Sequence, residues 1–181
     1  MLEDIDQILF SEKDILKAVV IMGEQIEKVY KGRPLTVISI LNGSMMFFTD
    51  LVRQIHMPLR VECLYAQSYQ GNTESSGVIN ILTNHDFSVQ DLDVLIIDDI
   101  LDTGLTLSRV REELAMRGAR EIKTAVMLTK NVERVRYVEP DFSGFEIADK
   151  FVVGYGLDYK GYYRNLPFIA TLKESAIRKY A

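Results

Sequence analysis

The sequence predicts an α/β fold: a mostly parallel twisted sheet with helices on both faces. Two observations lead there. Short β-branched runs alternate along the chain with amphipathic stretches of helical length. The runs are apolar at consecutive positions, as strands covered on both faces are. Repeated strand–helix–strand units of this kind build a parallel sheet through crossover helices.

The elements follow in order. Ser11, Glu12, Lys13 and Asp14 have the form of a capping box, with Asp in place of the usual Glu or Gln. Ile15, Val19, Met22 and Ile26 then share one helix face. Gly32 and Pro34 end that helix. Leu35–Leu41 reads as a strand buried on both faces, residues 42–44 as a turn, residues 45–54 as a helix and residues 59–66 as a second strand. Residues 67–84 differ. They carry Ser68, Gln70, Gly71, Asn72, Thr73, Ser75, Ser76 and Gly77, with only a short apolar stretch at 78–82. We expect a long mobile flap inside one domain here, because long loops of this type are usually functional or disordered. Residues 94–97 form a third buried strand. Residues 106–117 form a helix that Gly118 is suited to cap, and residues 122–128 a fourth strand. Short apolar pieces follow at 145–147, 151–153 and 166–172. There is no internal repeat, and residues 1–181 read as one domain.

Composition narrows the function. Of 181 residues, 48% are hydrophobic and 26% charged, the balance of a globular protein. With 26 acidic and 21 basic side chains the net charge is -5. That argues against a general nucleic-acid binder and against an anionic membrane surface as partner, since both need excess Lys and Arg. The lone Cys63 excludes an internal disulfide framework and a cysteine zinc site. His56 and His85 have no ligand spacing. The first ten residues hold three acids and no Lys or Arg, the wrong charge for a signal peptide. The longest uncharged stretch, residues 34–49, is shorter than the ~20 apolar residues of a membrane-spanning helix. The expected location is cytoplasmic.

Chemistry concentrates in residues 94–107. A buried strand runs into two adjacent carboxylates, Asp98 and Asp99. Asp102 opens a short loop, and Thr103, Gly104 and Thr106 lead into a helix. In an open α/β sheet, ligands bind beyond the carboxyl ends of the strands. The loop N–H groups and the helix N-terminus would form a nest for a phosphate. Asp98 and Asp99 suit a diol, or a magnesium ion held through water. Taken singly, Asp102 is an ordinary N-cap and Asp-Thr-Gly an ordinary turn. Three carboxylates at the end of an apolar strand are different, because their repulsion is costly unless cations or hydroxyls meet them. The loop is neither a Walker A loop nor a dinucleotide fingerprint.

Residues 94–107 resemble the phosphoribosyl pyrophosphate motif of type I phosphoribosyltransferases. Leu41, Asn42, Gly43 and Ser44 resemble that family's pyrophosphate loop, and Ser68 and Tyr69 the start of its catalytic loop. Lys130 stands where a purine-binding lysine is expected. Residues 151–159 and 163–167 are similar to the C-terminal signatures of its hypoxanthine and hypoxanthine-guanine members. These matches run in order from about residue 35 to residue 170.

The resemblance implies a parallel sheet with a small hood and a flexible loop over residues 67–84. It implies purine salvage: a 6-oxopurine base and phosphoribosyl pyrophosphate give a nucleoside monophosphate and pyrophosphate, with Mg²⁺. Asp98 and Asp99 would hold the ribose hydroxyls. Asp102 would be the catalytic base near purine N7, and Thr103, Gly104, Leu105 and Thr106 would wrap the 5′-phosphate. Asn42, Gly43, Ser68, Tyr69 and Arg164 would serve the pyrophosphate. Lys130 would donate to O6, Phe151 would stack on the base, and Val152 and Asp158 would meet its edge. Asp158, Asp98 and Asp99 would be the metal residues. A homodimer or homotetramer is expected.

Two physical points stand beside the resemblance. Lysine donates but cannot accept, so Lys130 suits a 6-oxo group and disfavours a 6-amino group. Departing pyrophosphate carries dense negative charge, which Mg²⁺ and Arg164 would stabilise. The chain departs from the family at Asn42, where Lys or Arg is usual, and at Leu105, where a polar residue is common. The family has a non-proline cis peptide entering the position of Asn42. Other readings of the same fold are an RNA-binding attenuation regulator and a non-catalytic nucleotide sensor. Base-dependent pyrophosphate release separates the enzyme from both.

Overall fold

The computed structural model describes residues 1–68, 79–83 and 87–179. A 3-10 turn at Leu2–Asp4 leads into β1 (Ile5–Phe10), α1 (Glu12–Tyr30), β2 (Leu35–Leu41), α2 (Met45–Arg53) and β3 (Leu59–Ser68). Then come β4 (Ile79–Thr83), β5 (Asp93–Leu101), α3 (Leu105–Met116), β6 (Glu121–Lys130), β7 (Phe142–Ile147), β8 (Ile169–Leu172) and α4 (Glu174–Lys179).

The main sheet has the order β4-β3-β2-β5-β6-β7. The five strands from β3 to β7 in that order run parallel, and β4 is antiparallel to β3. The chain lays β3 on one side of β2 and β5 on the other. The strand order therefore reverses between β2 and β5, where a crevice opens at the carboxyl ends of the strands. Leu35–Leu41 pairs in register with β3 from Leu35↔Leu59 to Leu41↔Tyr65, and with β5 from Leu35↔Asp93 to Ser39↔Ile97.

Alternation along the strands feeds two cores. Val37, Leu95, Ile97 and Met127 pack with α1 and α2 residues Ile15, Val19, Met22, Ile26, Phe47 and Leu51. Ile38, Ile40, Val94, Ile96 and Val126 face the other way and pack with α3 residues Leu107, Val110 and Leu114. The four α1 residues that the sequence places on one face are at most 2% exposed. Burying each such side chain stabilises the fold by about 1.5–3 kcal/mol. The α1 capping box is formed: Asp14 N–H donates to Ser11 Oγ at 3.3 Å, and Ser11 N–H donates to Asp14 Oδ2 at 3.2 Å.

Both chain ends build the hood. β1 pairs antiparallel with β8. Val153, Tyr163, Leu166, Leu172 and Ala176 form its small core, with Ile5, Tyr159 and Phe168 against it. The sequence reading assigns no strand to residues 5–10, because their partner lies more than 150 residues away and only half of the strand is covered.

Three boundaries differ from the sequence reading. β5 does not stop at Ile97 but continues through both acids to Leu101, held by pairing with β6 at Asp98↔Val126 and Ile100↔Leu128. β7 starts at Phe142, before the apolar piece at 145–147. Of the expected flap at 67–84, residues 67–68 and 79–83 are paired backbone in β3 and β4, with Ser68 opposite Ile79. The rest of it, including Tyr69, lies outside the described residues. Among the described residues, no helix is long and apolar enough to cross a membrane.

Candidate active site

The loop after β2 forms one wall of the crevice. Ser44 is buried, and its hydroxyl donates to the Ile40 carbonyl at 2.5 Å and lies 2.7 Å from Ser39 Oγ. These bonds pin the turn to its own strand before α2 begins, with Met45 N–H donating to the Asn42 carbonyl at 3.2 Å. The Leu41–Asn42 peptide is cis, as in the family that the motifs resemble. Asn42 projects into solvent. Gly43 packs flat against the Asp99 carboxylate, where any side chain would overlap it.

The end of β5 and the loop after it form the facing wall. Asp98 is 6% exposed and Asp99 half-buried. Each carboxylate accepts from the next backbone N–H: Asp99 N–H to Asp98 Oδ1 at 3.0 Å, and Ile100 N–H to Asp99 Oδ1 at 2.9 Å. Burial pushes the Asp98 carboxyl well above the usual carboxylate range, and the neighbouring Asp99 charge adds to it. Burial raises Asp99 too, against hydrogen bonds that favour its anion and the nearby Arg164 charge. Two such groups side by side are poised for hydroxyl donors or a cation.

Between the two walls lies a cavity of about 250 Å³. Gly43, Asp98, Asp99, Asp102, Thr103, Gly104 and Thr106 line it. Gly104 has φ 79° and precedes α3, whose first-turn N–H groups have no partner within the helix. Its Cα also rests on the Arg136 carbonyl, and Arg136 N–H donates to the Thr103 carbonyl at 3.1 Å. The result is a rigid nest at a helix N-terminus, the arrangement that holds phosphate. Leu105 begins α3, so its N–H is among the first-turn groups without a helical partner.

Asp102 joins this cavity to a second group of residues. Its Oδ2 lies 3.1 Å from Lys130 Nζ, which is also 3.1 Å from Asp149 Oδ1. Burial pulls the Lys130 ammonium down, but hydrogen bonds and attraction from the two carboxylates prevail, and its pKa is raised. Phe151 is 55% exposed, so it is no core residue. Its ring meets Tyr159 edge-on at 5.6 Å, and Tyr159 is tied to α4 through the Ile177 carbonyl at 3.2 Å. Val152, beside it, is buried.

Arg164 and Asp158 meet at 2.7 Å. Arg164 Nη1 also donates to the Gly156 carbonyl at 2.5 Å, and Gly161 N–H donates to Asp158 Oδ2 at 2.6 Å. Gly156 packs on the Gly43 carbonyl, which seats the hood against the loop after β2. Among the described residues, no three or more His, Cys, Asp or Glu side chains converge as a ready metal cage.

Thus Asn42, Gly43, Asp98, Asp99, Asp102, Thr103, Gly104, Leu105, Thr106, Lys130, Phe151, Val152, Asp158 and Arg164 come from β2, β5, β6 and the hood to one end of the sheet. Ser68 ends β3 at the same end, opposite Ile79. Asp149 is absent from the sequence reading. The one signal for it is an acid two residues before the exposed Phe151.

A family model described as the phosphoribosyl transferase domain matches residues 5–160. The chain belongs to the phosphoribosyltransferase family. It is a transferase. Staphylococcus epidermidis hypoxanthine-guanine phosphoribosyltransferase is 43% identical over 179 residues, 99% of this chain and 100% of the relative. A crystal structure of a Staphylococcus aureus hypoxanthine phosphoribosyltransferase matches with a TM-score of 0.92 at 41% identity, covering 97% of this chain and 95% of that one. The Trypanosoma cruzi hypoxanthine phosphoribosyl transferase matches with a TM-score of 0.91 at 35% identity, covering 99% of this chain and 98% of that one. The likeness spans the hood as well as the sheet.

Proposed function

We propose that this phosphoribosyltransferase salvages purines: it moves the 5-phosphoribosyl group from phosphoribosyl pyrophosphate to hypoxanthine or guanine, giving IMP or GMP and pyrophosphate. One observation carries the choice of base, the 3.1 Å pairing of Asp102 with Lys130. A 6-oxopurine presents O6 and N7 on one edge. Lys130 donates to O6, and Asp102 accepts the proton leaving N7. An adenine amino group at the same place would face a donor and lose its bond.

The remaining roles are those that the family resemblance implies, and the grouping of the described residues at one end of the sheet supports them. Thr103, Gly104, Thr106 and the N–H of Leu105 hold the 5′-phosphate in the nest. Asp98 and Asp99 accept from the ribose hydroxyls, which relieves two adjacent carboxyls of their mutual repulsion. Phe151 stacks on the base, while Val152 and the chain around Asp158 meet its edge and set the preference between hypoxanthine and guanine. Asn42, Gly43, Ser68, Tyr69 and Arg164 serve the pyrophosphate. Substitution at C1′ builds positive charge on the sugar, as in glycoside chemistry.

The donor chemistry fits Mg²⁺, a hard cation that takes carboxylate oxygen. Asp98, Asp99 and Asp158 would hold it, and it would supply positive charge to the leaving pyrophosphate. Asp158 and Arg164 neutralise one another at 2.7 Å; with substrate present Arg164 would donate to the pyrophosphate and Asp158 would be free to help hold the ion.

We further propose that residues 1–181 act as a single cytoplasmic domain with residues 67–84 as its catalytic flap. A homodimer or homotetramer is supported by the apolar outer face of α1, where Leu16, Val20 and Ile21 are 42–55% exposed.

Pyrophosphate release with hypoxanthine, guanine, xanthine and adenine, each with and without Mg²⁺, tests the assignment. Release with 6-oxopurines and Mg²⁺, and none with adenine, is expected. Salt-sensitive RNA binding without base-dependent release would overturn it.

A further inference from the structure

Lys130 has two carboxylate partners, and only Asp102 has a part in the chemistry above. The second, Asp149, stands 3.1 Å from Lys130 Nζ on the connection that follows β7. That connection is fastened to the end of β6 by Asn131 N–H donating to the Ile147 carbonyl at 2.8 Å. It is tightened by Lys150 N–H donating to the Ala148 carbonyl at 2.7 Å. Phe151 and Val152 follow directly, so one short segment carries Asp149 and both residues assigned to the face and edge of the base. The Lys130 side chain is 12% exposed and that of Asp149 71%. An ion pair with one partner this exposed contributes little to stability, so the contact is better explained by what it does to the ammonium.

An ammonium has three N–H donors and no acceptor. Asp102 and Asp149 take two of them. We propose that Asp149 is a positioning residue for base recognition: with Asp102 it fixes the Lys130 ammonium so that the third N–H meets the purine 6-oxo group, and it keeps the ammonium paired while Asp102 receives the N7 proton. Without Asp149, every turn of Asp102 toward N7 would strip Lys130 of its only anionic partner. The ammonium would then follow Asp102 rather than stay on O6. This role rests on the assignment of Lys130 to base recognition.

Steady-state kinetics on the full chain tests it. Asp149→Asn should raise KM for hypoxanthine about three- to tenfold, the range for a charge-assisted contact with one exposed partner. KM for phosphoribosyl pyrophosphate and the melting temperature should not move, whereas a merely structural residue would shift the latter. Asp149→Glu should restore most of the base affinity. In a Lys130→Met background, Asp149→Asn should add nothing further. An unchanged hypoxanthine KM in Asp149→Asn, or a full additional loss in the double variant, overturns the positioning role. If Lys130→Met alone leaves the hypoxanthine KM unchanged, the assignment of Lys130 fails, and the role of Asp149 with it.

Discussion

Gly43 and Asp99 are in direct contact across the mouth of the site, with the Cα of one lying on the carboxylate of the other. Gly43 follows β2 and Asp99 lies in β5, the two strands between which the sheet order reverses. The contact couples the wall assigned to pyrophosphate with the wall assigned to ribose. It leaves no room for a side chain at position 43.

Gly43→Ala should therefore displace the Asp99 carboxylate without unfolding the chain, because Asp99 can turn but the backbone on either side is held by strand pairing. A misplacement of about 1 Å near reacting groups costs on the order of a hundredfold in rate. We expect kcat/KM to fall about 10- to 100-fold, with a circular dichroism spectrum like that of the parent. Parent-like kinetics would show that Asp99 does not need its present position.

Asp102→Asn should lower kcat by about 10²–10⁴, the usual contribution of a general base. The amide still reaches Lys130 but cannot take the N7 proton. Binding of phosphoribosyl pyrophosphate, measured by calorimetry, should stay close to that of the parent. Wild-type turnover in this variant eliminates the proposed base.

Lys130→Met should weaken use of 6-oxopurines by leaving O6 unpaired, at a cost on the order of 1–3 kcal/mol in kcat/KM. The parent should not convert adenine. Efficient adenine conversion by the parent contradicts the donor argument for Lys130.

Stability in acid should depend on Asp93, at the start of β5 far from the site. Its side chain is fully buried between Arg120, at 2.7 Å, and Arg33, at 3.0 Å. The Arg120 hydrogen bond holds its carboxyl below the ordinary value of 3.8, with the charges of both arginines assisting against burial. A depressed carboxyl stabilises the fold above its unfolded pKa, and that contribution is lost as pH falls through the folded one. Asp93→Asn should thus lower the melting temperature at pH 7 by the equivalent of about 1–3 kcal/mol. The gap to the parent should close as pH drops below the ordinary carboxylate range. A gap that stays constant down to pH 2 would remove the ionic explanation.

Val20→Asp places a charge in the centre of the exposed apolar face of α1. Light scattering after gel filtration should report a smaller assembly than the parent forms. An unchanged mass would remove this face of α1 as the proposed interface.

The sequence by itself determined the parallel α/β class, the α1 face and its capping box, the buried strands and the acidic motif. Each rests on local spacing: helical period, two-sided burial, or a loop running into a helix. The family resemblance extended this to Lys130, Phe151, Asp158 and Arg164 by position alone. Tertiary structure decided what local spacing does not carry. The pairing of β1 with β8 joins the two ends of the chain, and its hydrophobic signal is halved because one face stays open. The continuation of β5 through Asp98 to Leu101 is supplied by the neighbouring β6, which overrides the poor strand propensity of adjacent acids. Asp149 meets Lys130 only because β7 lies beside β6, so an exposed acid 19 residues away becomes the second partner of a nearly buried ammonium.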